Sequence, residues 1–284
     1  MDLQTRLDRL QHTLVQALRE LPGARALCLF GSLAGGTGDQ YSDIDLQVMT
    51  SDLPATVAAC HEILERVDLL ALELPIVRAS DSWASTFLFH NRSCYHKVDL
   101  GFTATASIEH VLTKLAGPRV ILWEQEASIT PATIDTPSFG SPYVPELETL
   151  EHFVIGQLFG GVRYVKARKR EHRYTTWRFA SAMANGLATI RLQQKLKWVG
   201  MRSSLNTWAY VELDSMSSPD EFEPFFAALD FSRARTMDHG VCQLLEQIVE
   251  TAETCGSFAE NVAASVATKR LLDFIRTELT EYNR

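Results

Sequence analysis

Leu3, Leu7, Leu10, Leu14, Leu18 and Leu21 recur every three or four residues, so the spacing predicts one apolar stripe of a helix over residues 2–21. Pro22-Gly23 ends it. The short apolar run 24–30 reads as a buried strand and stops at Gly31-Ser32 and a glycine-rich turn. After Tyr41-Ser42, residues 43–49 alternate polar and apolar, the period of a half-buried strand. Residues 54–67 read as a helix, and 70–77 and 85–89 as extended chain. Residues 94–102 alternate again, 108–115 form a further helix, and 119–123 a last strand ending near Glu124. Pro131, Pro137, Pro142 and Pro145, with Gly140 and several Ser and Thr between them, mark a linker. Beyond it, 148–169, 176–196, 222–229, 233–254 and 258–281 carry helical periodicity with few strand signals. The pattern predicts an α/β domain over 1–128, a linker over 129–146 and an all-helical domain over 147–284, with no internal repeat.

A chain of 284 residues that is 46% hydrophobic and 22% charged can bury one large core or two modest ones. Its apolar stretches are broken by charge well short of the roughly 20 residues a bilayer demands, and the N-terminus reads as an amphipathic pattern without a basic-then-apolar signal. Cys28, Cys60, Cys94, Cys242 and Cys255 are scattered, odd in number and without a Cys-x-x-Cys pair, which argues against a disulfide framework and a zinc site. A cytoplasmic protein with buried thiols, away from membranes, is expected.

The net charge of −8 discourages a nucleic-acid partner, but its distribution is uneven. Residues 161–205 hold eleven Lys or Arg and the single acid Glu171; of the chain's 27 bases and 35 acids this leaves 16 and 34 elsewhere. One basic segment on an acidic body points to a localised anion site, not to a polyanion track. Within it Arg163, Lys166 and Arg170 fall at helical spacings, hence on one face, and Tyr174 and Arg178 follow.

The candidate chemistry lies between Leu29 and Val48. A strand feeds Gly31-Ser32, and ten residues beyond Ser32, Asp43-Ile44-Asp45 opens a second strand. Residues i and i+2 of a strand share a face, so Asp43 and Asp45 project side by side. Two such carboxylates repel unless a cation lies between them, and magnesium takes one or two carboxylates together with substrate phosphate oxygens. Gly31 lets the backbone approach a phosphate, Ser32 adds a hydroxyl, and a helix starting here would aim N–H groups at the anion. Asp99, between Val98 and Leu100, is a third strand carboxylate; if its strand neighbours the first, three acids converge, enough for two metal ions. The alternative for Asp99 is an exposed strand residue paired with Lys97.

This pattern resembles the DNA polymerase β-like nucleotidyltransferases, and within them the antibiotic nucleotidyltransferases that modify aminoglycosides and lincosamides. The motif covers about the first 125 residues; the helical half is similar in domain type and charge only. The resemblance implies an α/β (α+β) nucleotidyltransferase domain with a mixed sheet, followed by an all-helical domain. It implies Gly31 and Ser32 as the phosphate-gripping pair, Asp43, Asp45 and Asp99 as metal ligands, and Asp99 also as the general base on an acceptor hydroxyl. Mg2+, two ions, and an NTP, ATP first, are the implied cofactor and donor. Many relatives carry a basic residue soon after the Ser, whereas Leu33-Ala34-Gly35-Gly36 has no charge, so the triphosphate must be neutralised from elsewhere. In the resembling enzymes the helical domain contributes Lys or Arg to that task, which here selects Lys166 and then Arg163; the alternative is a solvated helix surface.

Three function classes follow. The first is transfer of a nucleoside monophosphate to a small-molecule hydroxyl, with an aminoglycoside or lincosamide antibiotic as acceptor. The second keeps the chemistry and makes a protein side chain the acceptor, as in toxin–antitoxin or regulatory adenylylation. The third is a nucleotide-binding module without turnover. The acidic body speaks against template-directed polymerisation. His61, His90, His96, His110, His152, His172 and His239 show no ligand spacing, and Trp177, Phe179, Trp198 and Trp208 read as helix packing. The oligomeric state stays open, a homodimer being one option for the class.

Overall fold

The computed structural model describes residues 2–104, 118–125, 149–196, 228–230, 233–254, 258 and 262–283. The helix expected over 108–115 and the linker lie outside them, as do residues 222–227 of the helix expected over 222–229. The chain divides into two compact units, Met1–Pro145 and Glu146–Arg284.

In the first unit, α1 (Leu3–Leu18) starts at Asp2, whose side chain accepts the Thr5 N–H, satisfying a donor that has no partner within the helix. Strand β1 (Ala24–Phe30) runs into a single helical turn, α2 (Gly31–Ala34), and β2 (Ile44–Thr50) follows. Helix α3 (Leu53–Val67) is capped by Asp52 through the Ala55 N–H, with Pro54 in its first turn where the missing N–H costs nothing. Strands β3 (Leu70–Arg78), β4 (Ser82–Phe89), β5 (Val98–Ala104) and β6 (Arg119–Glu124) complete a six-stranded sheet in the order β3-β4-β5-β2-β1-β6. The β2–β5 pair is parallel and every other pair antiparallel, so the sheet is mixed. Pro75 sits in β3, at the edge of the sheet, where a missing N–H breaks no inner ladder; the register shifts there.

Strand alternation sorts the sheet into two faces. Leu27, Leu29, Ile44, Leu46, Val48, Val98, Leu100 and Phe102 pack with the leucine stripe of α1 and with Cys60, Ile63 and Leu64 of α3 into the main core. The opposite face holds only a small apolar cluster of Ala26, Cys28, Met49 and Ile121 among the described residues. Burial pushes the Cys28 thiol up to about 11 and the Cys60 thiol up to about 12, so both stay protonated at neutral pH.

The second unit is helical as far as it is described: α4 (Leu150–Lys169), α5 (Arg173–Leu196), α6 (Ala234–Glu253) and α7 (Val262–Tyr282). Helix α4 is buried on nearly every side and packs against the other three. A polar knot ties it to α6 and to the chain end: buried Asp238 accepts the Tyr164 hydroxyl at 2.6 Å, Arg168 at 2.8 and 3.1 Å, and Asn283 at 3.0 Å. Burial, then the neighbouring Asp238 charge, pushes the Tyr164 phenol far up, so it stays a donor.

Candidate active site

The register of the sheet builds the site. Asp45 of β2 lies directly opposite Asp99 of β5, and residues directly opposite on neighbouring strands share a face. Asp43, two residues before Asp45, lies on that same face. Each of Asp43, Asp45 and Asp99 offers a carboxylate oxygen within 4.8 Å of the other two. All three are half-buried, and their face is the one opposite the α1–α3 core.

Asp43 precedes the first residue of β2, so something other than the sheet ladder must hold it. The alternation read over 94–102 becomes strand only from Val98; residues 93–97 form a turn closed by the His96 N–H on the Ser93 carbonyl. That turn is braced against the segment before Asp43. The Ile44 N–H donates to the Lys97 carbonyl at 3.0 Å, His96 Nε2 donates to the Gln40 carbonyl at 2.9 Å, and the Tyr41 and Tyr95 rings meet edge-on at 5.0 Å. His96 is thus a buried structural residue, as its lack of ligand spacing suggested.

Gly31 has φ +74°, the left-handed region that favours glycine, and an ideal Cβ there would lie 2.3 Å from Asp45 Oδ2. Its N–H donates to the Pro118 carbonyl at 3.2 Å, and the space of its missing side chain is taken by the Asp45 carboxylate. Ser32 follows in the one-turn α2 and donates to Ser42 Oγ at 3.3 Å; Ser42 in turn accepts the Asp39 N–H at 3.0 Å. This pair links the Gly-Ser turn to the start of β2, and nothing local marks Ser42 beyond its polarity.

Three further side chains come to this face. Thr86, directly across from Asp99 on β4, donates its hydroxyl to Asp99 Oδ1 at 2.5 Å. Lys97 is buried, its side chain 3% exposed, with Nζ 2.9 Å from Asp43 Oδ2 and bonded also to Asp99 Oδ2. The pairing with Lys97 weighed for Asp99 therefore exists, but within the carboxylate cluster and not as an exposed surface pair. Arg119 opens β6 opposite Phe30, which is itself opposite Asp45, so Arg119 shares the carboxylate face two strands away, roughly 10 Å at usual strand spacing. It is buried and directly follows Pro118, which holds Gly31. Only the folded register gives Arg119 a relation to the Gly-Ser turn; nothing local marks it.

In the helical unit, Arg163 is exposed and Lys166 is buried at 5% exposure, although they stand three residues apart on α4. Part of the basic segment is committed internally: Arg168 to Asp238, and Lys169 to Glu278 at 3.0 Å. Tyr174 and Trp177 stand largely exposed at the start of α5, their rings 5.6 Å apart.

Residues 12–144 match the family model described as nucleotidyltransferase domain. The N-terminal unit thus carries a nucleotidyltransferase domain, as the spacing of Gly31-Ser32 and Asp43-x-Asp45 implied. No curated protein sequence matches the chain. Among solved structures, the crystal structure of an aminoglycoside 6-adenyltransferase from Bacillus subtilis aligns over 93% of this chain and 97% of that chain, at 11% identity and a TM-score of 0.33. So low a score carries no weight for acceptor or site.

Proposed function

We propose that the protein transfers AMP from ATP to a hydroxyl of a small cationic acceptor, an aminoglycoside antibiotic before a lincosamide, with Asp43, Asp45 and Asp99 holding magnesium. The observation that carries this reading is the convergence of three carboxylates beside the Cβ-free Gly31 in a nucleotidyltransferase domain. The donor set fits the ion: magnesium takes oxygen ligands at about 2.0–2.1 Å, so oxygens sharing one ion lie within about 4 Å of each other. The three carboxylates each offer an oxygen within 4.8 Å of the others, close to that spacing. When bound, magnesium would offset the charge of the triphosphate and of the oxygens exchanged at phosphorus.

The chain's own residues have the following parts. Asp99 accepts the proton of the acceptor hydroxyl, whose oxygen forms a bond to the α-phosphorus as the bond from that phosphorus to the pyrophosphate oxygen breaks. Thr86, bonded to Asp99 Oδ1, fixes the plane of that carboxylate. Gly31 and Ser32 form the phosphate-gripping turn: Gly31 leaves room for the Asp45 carboxylate beside it, and Ser32 presents a hydroxyl. Arg119 is the nearby positive charge that the uncharged residues 33–36 lack, and Lys166 and Arg163 are further phosphate contacts supported by charge alone. The acceptor class rests on the 34 acids against 16 bases outside residues 161–205, a field that concentrates polycations and favours a lincosamide less.

Incubation with α-labelled ATP, magnesium and a panel of aminoglycosides and lincosamides, followed by chromatography, tests the reading. Label on a drug is the expected result. Label only on a protein, or on no panel member at saturating concentration, overturns the acceptor and turns the search to protein adenylylation.

A further inference from the structure

Two strands, each contributing residues i and i+2 to one face, present four side chains at the corners of a square. On β2 and its lead-in these are Asp43 and Asp45; on β5 and its lead-in they are Lys97 and Asp99. Three corners are acids and the fourth is a base. Long cationic side chains normally extend their heads into water. Lys97 does the opposite: its side chain is 3% exposed, against 25% for Asp43 and 23% for Asp99, and Nζ reaches both of those carboxylates. An ammonium withdrawn from water is tolerated only where opposite charge and hydrogen bonds receive it.

The same ammonium lies between Asp43 and Asp99, two of the three carboxylates that would hold a divalent ion. Asp99 has both oxygens engaged, Oδ1 by Thr86 and Oδ2 by Lys97. For Asp99 to act as ligand or base through Oδ2, the ammonium has to move aside. Asp45, beside Gly31, is the corner diagonal to Lys97.

We propose that Lys97 is the resident cation of the carboxylate cluster: it holds Asp43 and Asp99 together before metal arrives, and competes with a divalent ion for those two carboxylates. It is a positioning residue, and the inference rests on the metal-binding reading above. A unit charge a few ångströms from the ion weakens binding by tenfold or more, even at an effective dielectric constant of about 20.

The test is calorimetric titration of the full chain with Mn2+, alongside thermal melting with and without Mn2+, for wild type, Lys97→Met and Lys97→Arg. Lys97→Met is expected to bind Mn2+ at least tenfold tighter than wild type, to melt lower in chelator, and to gain more in melting temperature from Mn2+. Lys97→Arg keeps the charge and is expected to stay within about threefold of wild-type affinity. Equal or weaker Mn2+ binding in Lys97→Met overturns the proposal while leaving the metal site standing. No Mn2+ binding in wild type instead overturns the metal-binding reading itself. If Lys97→Met does not fold in chelator, Asp43→Asn/Lys97→Met, which restores the charge count, is expected to fold; failure of that double variant assigns Lys97 to packing and overturns its charge role.

Discussion

Replacing Gly31 with alanine perturbs the site through one methyl group, and its two effects can be separated. The residue has φ +74°, where an L side chain costs about 1–2 kcal/mol. The added Cβ would also lie 2.3 Å from Asp45 Oδ2, where ordinary contact begins at 3.4 Å, so the carboxylate must withdraw by about 1 Å. Strain of that size lowers the melting temperature by a few degrees in a unit of this length. A 1 Å shift of a reacting group costs about 100-fold in turnover, and productive sites hold their groups to about 0.5 Å. Gly36 is the matched control: its φ is +66°, yet an added Cβ meets nothing within 4 Å. Gly36→Ala should therefore lose similar stability and keep its turnover, whereas Gly31→Ala loses both. Thermal melting and pyrophosphate release, measured on the two variants together, decide it. Turnover of Gly31→Ala within threefold of Gly36→Ala would show that Asp45 is not held against this glycine.

Asp43→Asn and Asp45→Asn should each lower magnesium-dependent pyrophosphate release at least 1000-fold while melting within a few degrees of wild type; full activity in either removes it from the metal site. Lys166→Ala should raise KM for ATP more than it lowers kcat, because a grip on the triphosphate acts in ground and transition state alike; unchanged ATP kinetics assign Lys166 to the helical unit's interior. Arg119→Gln should raise KM for ATP about tenfold, and a normal KM leaves Arg119 as a strand residue with no part in binding. Asp238→Ala strips Tyr164, Arg168 and Asn283 of their shared acceptor and should cost about 3–5 kcal/mol in chemical denaturation of the helical unit; a loss under 1 kcal/mol means the knot contributes little.

Much of this architecture is local enough to read from the chain. The stripe from Leu3 to Leu18 is helical because its spacing matches 3.6 residues per turn, and the main core receives it as such. The strand from Ile44 alternates because one face meets α1 and α3 and the other carries Asp45 and Gln47. Gly31-Ser32, Asp43 and Asp45 were legible because their relation is fixed by short stretches of chain. What could not be read is what depends on pairing between distant strands. Thr86, Arg119 and Ser42 look like ordinary polar residues until the register places them beside Asp99, Phe30 and Ser32. Residues 94–97 mislead for a related reason: they alternate in polarity, but their backbone is spent on a turn that braces Gln40 and Ile44, so no strand forms there.

The direction of one strand pair decides the charge of the site. With Asp45 opposite Asp99, parallel pairing sets Lys97 opposite Asp43 and Gly101 opposite Gln47. Antiparallel pairing about the same two aspartates would exchange them, bringing Gly101 to Asp43 and Lys97 to Gln47. The cluster would then carry three negative charges with no ammonium between Asp43 and Asp99. The parallel arrangement also suits the row behind, where Gln47 Oε1 would lie 2.3 Å from a Cβ on Gly101, so the amide occupies the space a side chain would need. Gln47 fills that gap and donates to Thr103 at 2.8 Å. A lysine in place of Gly101 would collide with that amide, so steric fit in one row and charge balance in the next favour the same pairing. The two readings weighed for Asp99 from sequence, metal ligand or partner of Lys97, are therefore not rivals in the folded chain: parallel pairing puts Lys97 inside the carboxylate cluster.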